Sequence, residues 1–476
     1  MNIEFNDVIF GKNDIRGKMD EEITPELFTC IGKAYAAFIE EKQPNSSKWI
    51  TVGYDARNHS PELTEALVEG LRASGLNVYN LGLCPTPLCY FSEYTIPEVN
   101  GTLIVTASHN PPEYNGIKMT FNKAILSEEE ISEIRDLTRN GNFVNAATKG
   151  EYKKHDIISD YLKTQNEAFK GAGKGLKIVV DSGNATGGVV APQLYRDMGC
   201  EVIDIFSEPD GDFPNHHPNP TSEANIKDLK AKVIEIKADL GIAFDGDSDR
   251  IGIVDNEGYA LPGDQLMLIF ALDILNKTKE KTPVFVSEVK CSQVLYDTIE
   301  ANGGQAIMWK TGHGFIKSKM KQENALLAGE MSGHIFFKDR YFGFDDAVYA
   351  GCRFIEIIAE KKVREDNFNV SSFIKSFPNT ITSPEIRISC PNEHKYRIVK
   401  ELQEEFTSKP DVFINKIEKV ITIDGVRLVF NDGFALIRAS NTEPVFTLRF
   451  EAGTQENLDN YKSKLLEIVD EKIKNF

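Results

Sequence analysis

Three carboxylates stand at alternate positions in Asp245-Gly246-Asp247-Ser248-Asp249, and a guanidinium, Arg250, follows at once. The apolar run Leu240-Gly-Ile-Ala-Phe244 leads in and Ile251-Gly-Ile-Val254 leads out, so the charges are crowded between two segments that read as buried strands. Like-charge repulsion makes that crowding costly unless a cation sits among the carboxylates. A solvated acidic turn is the plainer alternative, but such a turn does not need apolar strands on both sides. An EF-hand is excluded, because its sixth position is Arg250 instead of glycine and its twelfth is Asn256 instead of glutamate. Oxygen-only donors favour Mg2+ over zinc. Asp245, Asp247 and Asp249 are therefore expected to be metal ligands.

A second loop, Thr106-Ala-Ser108-His109-Asn-Pro111-Pro112, follows the β-branched run that starts at Gly101. Two prolines forbid ordinary strand or helix continuation, so Ser108 is expected at a stiff turn on a strand end. His109 adjoins it as a base, and Lys118 lies ten residues on as a cation. No Gly-x-Ser-x-Gly elbow surrounds the serine, which weakens a hydrolase triad. A serine beside a hard-metal cage points to phosphoryl transfer instead of proteolysis, since three carboxylates leave Mg2+ an open position for a serine oxygen or its phosphoryl group. Taken alone, Ser-His-Asn is also common turn chemistry.

Two further loops could hold a ligand. In Gly329-Glu330-Met-Ser332-Gly-His334 the polar side chains alternate, so in an extended loop they face one side and suit vicinal hydroxyls. A polar strand end is the ordinary explanation of such a pattern. In Arg438-Ala-Ser440-Asn441-Thr442-Glu-Pro444 a guanidinium, two hydroxyls and an amide share one turn, a set suited to phosphate. Gly171–Gly175 and Gly183–Gly188 are glycine-rich but match neither a dinucleotide fingerprint nor a phosphate loop, and read as turns.

Three segments share the plan that would position these loops. Trp49–Asp55, Lys177–Asp181 and Val284–Ser287 each read as a strand followed by an amphipathic helix, a glycine cap and a second strand. Each unit leads on to another strand carrying one of the first three loops, and α/β sheets place ligands beyond strand carboxyl ends. The last hundred residues or so differ. Ile386–Ser389, Val420–Phe430 and Phe434–Arg438 alternate or run apolar around Asp-Gly turns, which predicts an antiparallel sheet with helices over 393–407 and 455–474. The expected architecture is three similar mixed α/β domains, at 1–155, 156–258 and 259–375, followed by an α+β domain at 376–476.

Composition bounds the rest. A chain of 476 residues with 41% hydrophobic and 26% charged content is ordinary for a globular protein of several domains. No apolar run is long enough for a membrane span and no secretory leader is visible, so a cytoplasmic location is expected. Seven scattered cysteines without a CxxC pair read as reduced core thiols. A net charge of −18 argues against nucleic acid, and it requires a local basic cleft if the substrate is a phosphate. Arg16, Lys118, Lys290, Arg438 and Arg449 are the candidate cations.

In this order and spacing, the four loops resemble the α-D-phosphohexomutase superfamily, and within it the bacterial phosphomannomutase/phosphoglucomutase branch. The resemblance spans essentially the whole chain. Gly329–His334, Arg438–Pro444 and Tyr114-Asn-Gly-Ile-Lys118 select the branch. A phosphoglucosamine mutase would show a Gln-type sugar loop, an Arg-Pro-Ser-Gly-Thr phosphate loop and Asp before the Asn-Gly.

The resemblance implies four domains around one cleft and an isomerase that interconverts hexose 1- and 6-phosphates of mannose and/or glucose. It implies Ser108 as carrier of the phosphoryl group, Mg2+ on Ser108, Asp245, Asp247 and Asp249, and hexose 1,6-bisphosphate as intermediate and activator. Arg16 lies in the Asp14-Ile-Arg-Gly17 motif and joins His109, Lys118, Arg250 and His334 as catalytic candidates. Glu330 and Ser332 would hold sugar hydroxyls, and Arg438, Ser440, Asn441 and Thr442 the non-reacting phosphate, with Lys290 and His313 also in the substrate site. Asn13 departs from the branch, which usually has Tyr there. The expected partners are hexose phosphates alone, with no nucleic acid or membrane, and the chain is expected to be a monomer. Phosphoglucosamine mutase, a metal-dependent sugar phosphatase and a non-catalytic sugar-phosphate-binding regulator are the alternatives.

Overall fold

The computed structural model describes residues 4–378, 380–440 and 444–474. The chain forms two compact units, one of residues up to Pro262 with Ser332–Ser372, the other of Gly263–Met331 with residues from Phe373 onward.

In the first unit, the strand Trp49–Tyr54 lies parallel to both Asn77–Leu83 and Val99–Val105. Tyr114–Phe121 then runs antiparallel to Val99–Val105, with Lys118 opposite Ile104, and Ile15–Lys18 adds antiparallel at the edge. The helices Pro25–Lys42, Ser60–Ala73 and Glu128–Asn140 bury their apolar faces in this domain's core, with Ile31, Leu67 and Ile134 fully enclosed. The chain turns between the two antiparallel strands at 106–113, so the serine loop is the link of a hairpin whose prolines stop the ladder.

A second sheet follows the order Ala260–Leu261, Ile251–Asp255, Leu240–Phe244, Lys177–Asp181, Glu201–Ile205. Its inner strands are parallel, whereas Leu240–Phe244 and Ile251–Asp255 are antiparallel with Phe244 paired to Ile251. The aspartate loop therefore also links a hairpin. Both sheets are mixed, as the sequence predicts.

The second unit carries the parallel strands Gln305–Trp309, Val284–Glu288 and Leu327–Gly329. Its other sheet is antiparallel, pairing Val445–Ala452 with Gly433–Ala439, which pairs in turn with Val426–Phe430, next to Lys419–Ile421. The helices Asn392–Ser408 and Gln455–Lys474 cover it, in agreement with the sequence reading, through Ile398, Leu402, Tyr461 and Leu465.

The repeated plan is visible in detail. Gly75, Gly199 and Gly303 follow the helix of each repeat at φ of +89°, +97° and +85°, the left-handed cap for which glycine lacks the Cβ penalty. All seven cysteines are free thiols. No helix among the described residues is long and apolar enough to cross a membrane.

Candidate active site

Ser108 is buried at φ +50°, a left-handed conformation rare for a residue with a side chain. Its N–H donates to Thr106 Oγ1 at 2.8 Å, and its Oγ donates to Asp245 Oδ2 at 2.8 Å. His109 Nδ1 lies 3.1 Å from the same oxygen. The charge of Arg250, then burial, then Arg16 hold the His109 imidazole far below its ordinary range, so it stands unprotonated beside the serine.

Asp245, Asp247 and Asp249 are all buried, and a ligand atom from each lies within 4.8 Å of the others. The loop is built to allow this. Asp245 Oδ1 accepts the N–H groups of Asp249 and Arg250, each at 3.1 Å, which curls the chain back on its first carboxylate. Lys118 Nζ donates to Asp247 Oδ2 at 2.6 Å and to Asp249 Oδ2 at 2.5 Å. Burial pulls this ammonium down, but the two carboxylates outweigh it and hold Lys118 well above its usual range. Burial, then the Asp249 and Asp247 charges, push Asp245 well above the ordinary carboxylate range. Asp247 Oδ1 and Asp249 Oδ1 are buried without a hydrogen-bond partner. Three converging carboxylates, two of them with an orphaned oxygen, suit a divalent cation with oxygen ligands.

His334 and Arg250 close the other side. The two residues form an isolated β-bridge, and Arg250 Nε donates to His334 Nε2 at 2.9 Å. His334 Nδ1 stands 3.1 Å from Asp345 and 3.6 Å from Asp249. Arg16 donates to Asn110 Oδ1 at 2.7 Å and pairs with Asp14, while the charges of Asp247 and Asp249 also reach it. The expected candidates Arg16, Ser108, His109, Lys118, the three aspartates, Arg250 and His334 thus form one cluster inside the first unit.

Ser332 is half-buried in the turn ahead of His334. This turn corrects one expectation. Residues 331–333 are not extended, because Gly333 takes φ +90° and a Cβ there would overlap the backbone of Ile251. Ser332 and His334 are therefore not carried on the extended backbone that the alternation reading assumed.

In the second unit, Glu330 Oε1 accepts the N–H of Gly312 at 2.6 Å, just ahead of the helix His313–Glu323 that His313 opens. Lys290 Nζ lies 3.2 Å from Glu385 and 3.7 Å from Glu288. Burial lowers it, but Glu288 and Glu385 raise it more, and the charges of Arg438 and Glu330 also act on it. Arg438 Nε donates to Asp424 Oδ2 at 3.0 Å, which also accepts the N–H of Thr311 at 3.0 Å. The carbonyl of Ser440 accepts from Lys395 at 2.6 Å. Asn441 and Thr442 lie outside the described residues. Arg449 is committed elsewhere, to Asp264 at 3.1 Å and to the carbonyl of Lys290.

Several members of these clusters escaped the sequence reading. Thr86 Oγ1 donates to Asp247 Oδ2 at 2.6 Å and its N–H to the Asp247 carbonyl at 2.9 Å. Thr186 Oγ1 bonds the Gly246 carbonyl and Ser248 Oγ from within a glycine-rich stretch read as a mere turn. Asp345, Glu288, Asp424 and Arg57 were also missed. None of them belongs to a repeated chemical pattern of the kind that marks the aspartate loop, so the spacing did not single them out.

A buried serine in a left-handed turn, set against three converging carboxylates with basic partners, has the groups that phosphoryl transfer needs. The comparisons agree with that class. Models of phosphoglucomutase/phosphomannomutase α/β/α domains I, II and III match residues 7–145, 159–258 and 262–376, and the C-terminal domain model matches 385–468. The chain belongs to the phosphoglucomutase/phosphomannomutase family of the α-D-phosphohexomutase superfamily.

It is 42% identical to a phosphomannomutase/phosphoglucomutase of Pseudomonas syringae pv. tomato, over 95% of this chain and 93% of that protein. A phosphoglucomutase of Neisseria gonorrhoeae is 40% identical over 97% of this chain and 96% of its own length. Among solved structures, a phosphoglucomutase/phosphomannomutase family protein of Burkholderia thailandensis superposes with a TM-score of 0.89 at 34% identity, covering 98% of each chain.

Proposed function

We propose that this chain is a phosphohexomutase acting on mannose and/or glucose phosphates, interconverting the 1- and 6-phosphates through phosphoserine 108 and a hexose 1,6-bisphosphate. The observation that carries the reading is Ser108 Oγ, held at a left-handed turn 2.8 Å from Asp245 in the carboxylate cage. In this reading the domains span 1–155, 156–258, 259–375 and 376–476. Asp245, Asp247, Asp249 and the phosphoserine would hold Mg2+, which would offset the phosphoryl charge. Glu330 and Ser332 take sugar hydroxyls. Arg438, Ser440, Asn441 and Thr442, with Lys290 and His313, take the phosphate that is not reacting. The protein works as a monomer in the cytoplasm.

A phosphoserine carries about −1.5 to −2 charge, so Arg250, Lys118 and Arg16 must offset it before a sugar oxygen can approach. The free hydroxyl of a sugar monophosphate attacks phosphorus in line. Its O–P bond forms as the Ser108 Oγ–P bond breaks, the hydroxyl gives up its proton, and Ser108 Oγ gains one. The freed serine hydroxyl donates to Asp245, and His109 Nδ1 stands 3.1 Å from the same oxygen. His334 orients Arg250 through its Nε2. The bisphosphate turns end over end, and its other phosphoryl group returns to Ser108. Positioning and charge stabilisation account for most of such a reaction.

The test combines mass mapping with kinetics. Incubation with glucose 1,6-bisphosphate should leave phosphate on Ser108, and Ser108→Ala should lose turnover of mannose 1-phosphate and glucose 1-phosphate. Full mutase activity in Ser108→Ala would sink the assignment. Release of inorganic phosphate in place of a 6-phosphate would identify a phosphatase, and turnover confined to glucosamine 1-phosphate a different mutase.

A further inference from the structure

Arg57 lies on none of the loops discussed so far, yet it is buried and all of its donors are committed. Nε donates to Asp55 Oδ2 at 3.0 Å. Nη1 donates to the carbonyls of Pro111 at 2.5 Å and Tyr114 at 3.1 Å, and Nη2 to those of Ser108 at 3.0 Å and Asn110 at 2.6 Å. A guanidinium has five N–H groups, and here five acceptors meet them. Three are main-chain oxygens of the serine loop, and a fourth is that of Tyr114, where the next strand begins.

Asp55 completes the scaffold from the carboxylate side. It accepts the Arg57 N–H at 3.1 Å, Ser60 Oγ at 2.6 Å and Thr106 Oγ1 at 2.8 Å. Thr106 Oγ1 is the atom that also receives the Ser108 N–H. One ion pair therefore grips the serine loop through both its carbonyls and its amide.

We propose that Arg57 is a positioning residue for phosphoryl transfer at Ser108, acting through the serine-loop backbone and touching no substrate. This rests on the phosphoserine reading above. The physical case has two parts. Ser108 occupies a sparsely populated φ, which persists only where the surroundings over-determine it. Arg57 and Asp55 supply that determination. Peptide planarity also sets C=O and N–H of one unit in opposite directions. Drawing the Ser108 carbonyl onto the guanidinium turns the His109 N–H the other way, and it turns four carbonyl dipoles inward where they cannot repel a phosphoryl group. A lysine would keep the charge but could not reach four separated carbonyls from one nitrogen.

The test measures Arg57→Lys and Arg57→Gln in the full-length chain with Mg2+. The readouts are the melting temperature, KM and kcat for glucose 1-phosphate, and quench-flow phosphorylation of Ser108 by glucose 1,6-bisphosphate. A loop misplaced by an ångström costs on the order of 10²-fold in rate. Phosphorylation and kcat should fall by about that factor while KM stays within about threefold, in protein that melts cooperatively. Three results overturn the proposal: rates within about threefold of wild type, a KM rise matching the kcat loss, or failure of both variants to fold. The last would make Arg57 a residue of stability alone. Absence of phosphate on Ser108 in the wild type would instead overturn the phosphoserine reading, so the two failures are distinguishable.

Discussion

Arg438 and Glu330 are buried side chains of opposite charge with different local anchors. Arg438 is tied through Nε to Asp424, while Glu330 fixes the Gly312 amide through one oxygen. A phosphate-holding Arg438 contributes a charged hydrogen bond worth about 1.5–3 kcal/mol whichever sugar is bound. Arg438→Ala should therefore raise KM on the order of 10- to 100-fold, by a similar factor for mannose 1-phosphate and glucose 1-phosphate. It should also release more bisphosphate, because the intermediate loses an anchor while it turns. Glu330→Gln keeps an oxygen for Gly312 but changes the partner offered to a hydroxyl, so it should disturb the two epimers unequally. Steady-state kinetics on both sugars with bisphosphate quantified decides the matter. An epimer-selective Arg438→Ala beside an indifferent Glu330→Gln would exchange the two roles.

Two elements are placed by contacts that a single atom can break. The serine and aspartate loops approach so closely at Gly246 that a Cβ there would overlap the Ser108 carbonyl oxygen. Gly246→Ala must push the loops apart. The expected cost is about 1–3 kcal/mol of stability together with a kcat loss larger than the folded fraction explains. Urea titration beside kcat would check this, and a folded variant with wild-type kcat would refute it.

The helix Ala347–Arg364 begins at Asp346, whose Oδ1 accepts the Tyr349 N–H at 2.8 Å. Oδ2 accepts from Tyr341 at 2.6 Å and from Tyr161 at 2.9 Å. Burial outweighs these donors and pushes the carboxyl from 3.8 up to about 6. The folded chain thus holds this proton more tightly than the unfolded chain does. Its contribution is full below about pH 4, falls as pH rises through 6, and is flat above; two units correspond to about 3 kcal/mol at most. Asp346→Asn, still an N-cap, should remove that component. On going from pH 7 to 4.5 the wild type should therefore gain stability relative to the variant, read as urea midpoints, and parallel shifts would disprove the assignment.

At the scale of the molecule, a net charge of −18 coexists with a cation-rich cluster at Ser108. The cluster's positive groups are mostly committed to carboxylates: Lys118 to Asp247 and Asp249, Arg16 to Asp14. A divalent ion in the cage would relieve the carboxylate crowding only in the folded state, so binding must raise stability. At 100 times its dissociation constant the gain is about 2.7 kcal/mol. Thermal unfolding of wild type should move up with Mg2+ and return after chelation. Asp247→Asn should lose most of that response. Equal Mg2+ shifts in both proteins would remove the cation from this site.

The sequence by itself determined the features whose information is local. The spacing of Asp245, Asp247 and Asp249 between apolar strands marked a cage, and Pro111-Pro112 after a β-branched run marked the turn at Ser108. Glycine-capped βαβ repeats and the alternating tail marked the domain types, because periodicity and turn chemistry act over a few residues. Tertiary structure decided which distant groups meet. Arg57 grips carbonyls more than fifty positions away, Thr86 reaches Asp247 across 161, and His334 meets Arg250 across 84. It also decided that 331–333 turns instead of extending, and that Arg449 serves Asp264. A lone buried arginine or threonine has no repeat and no period to betray it. Its meaning comes from the low-dielectric contacts that form when the sheets bring separated loops together, where an unpaired polar group is too costly to leave.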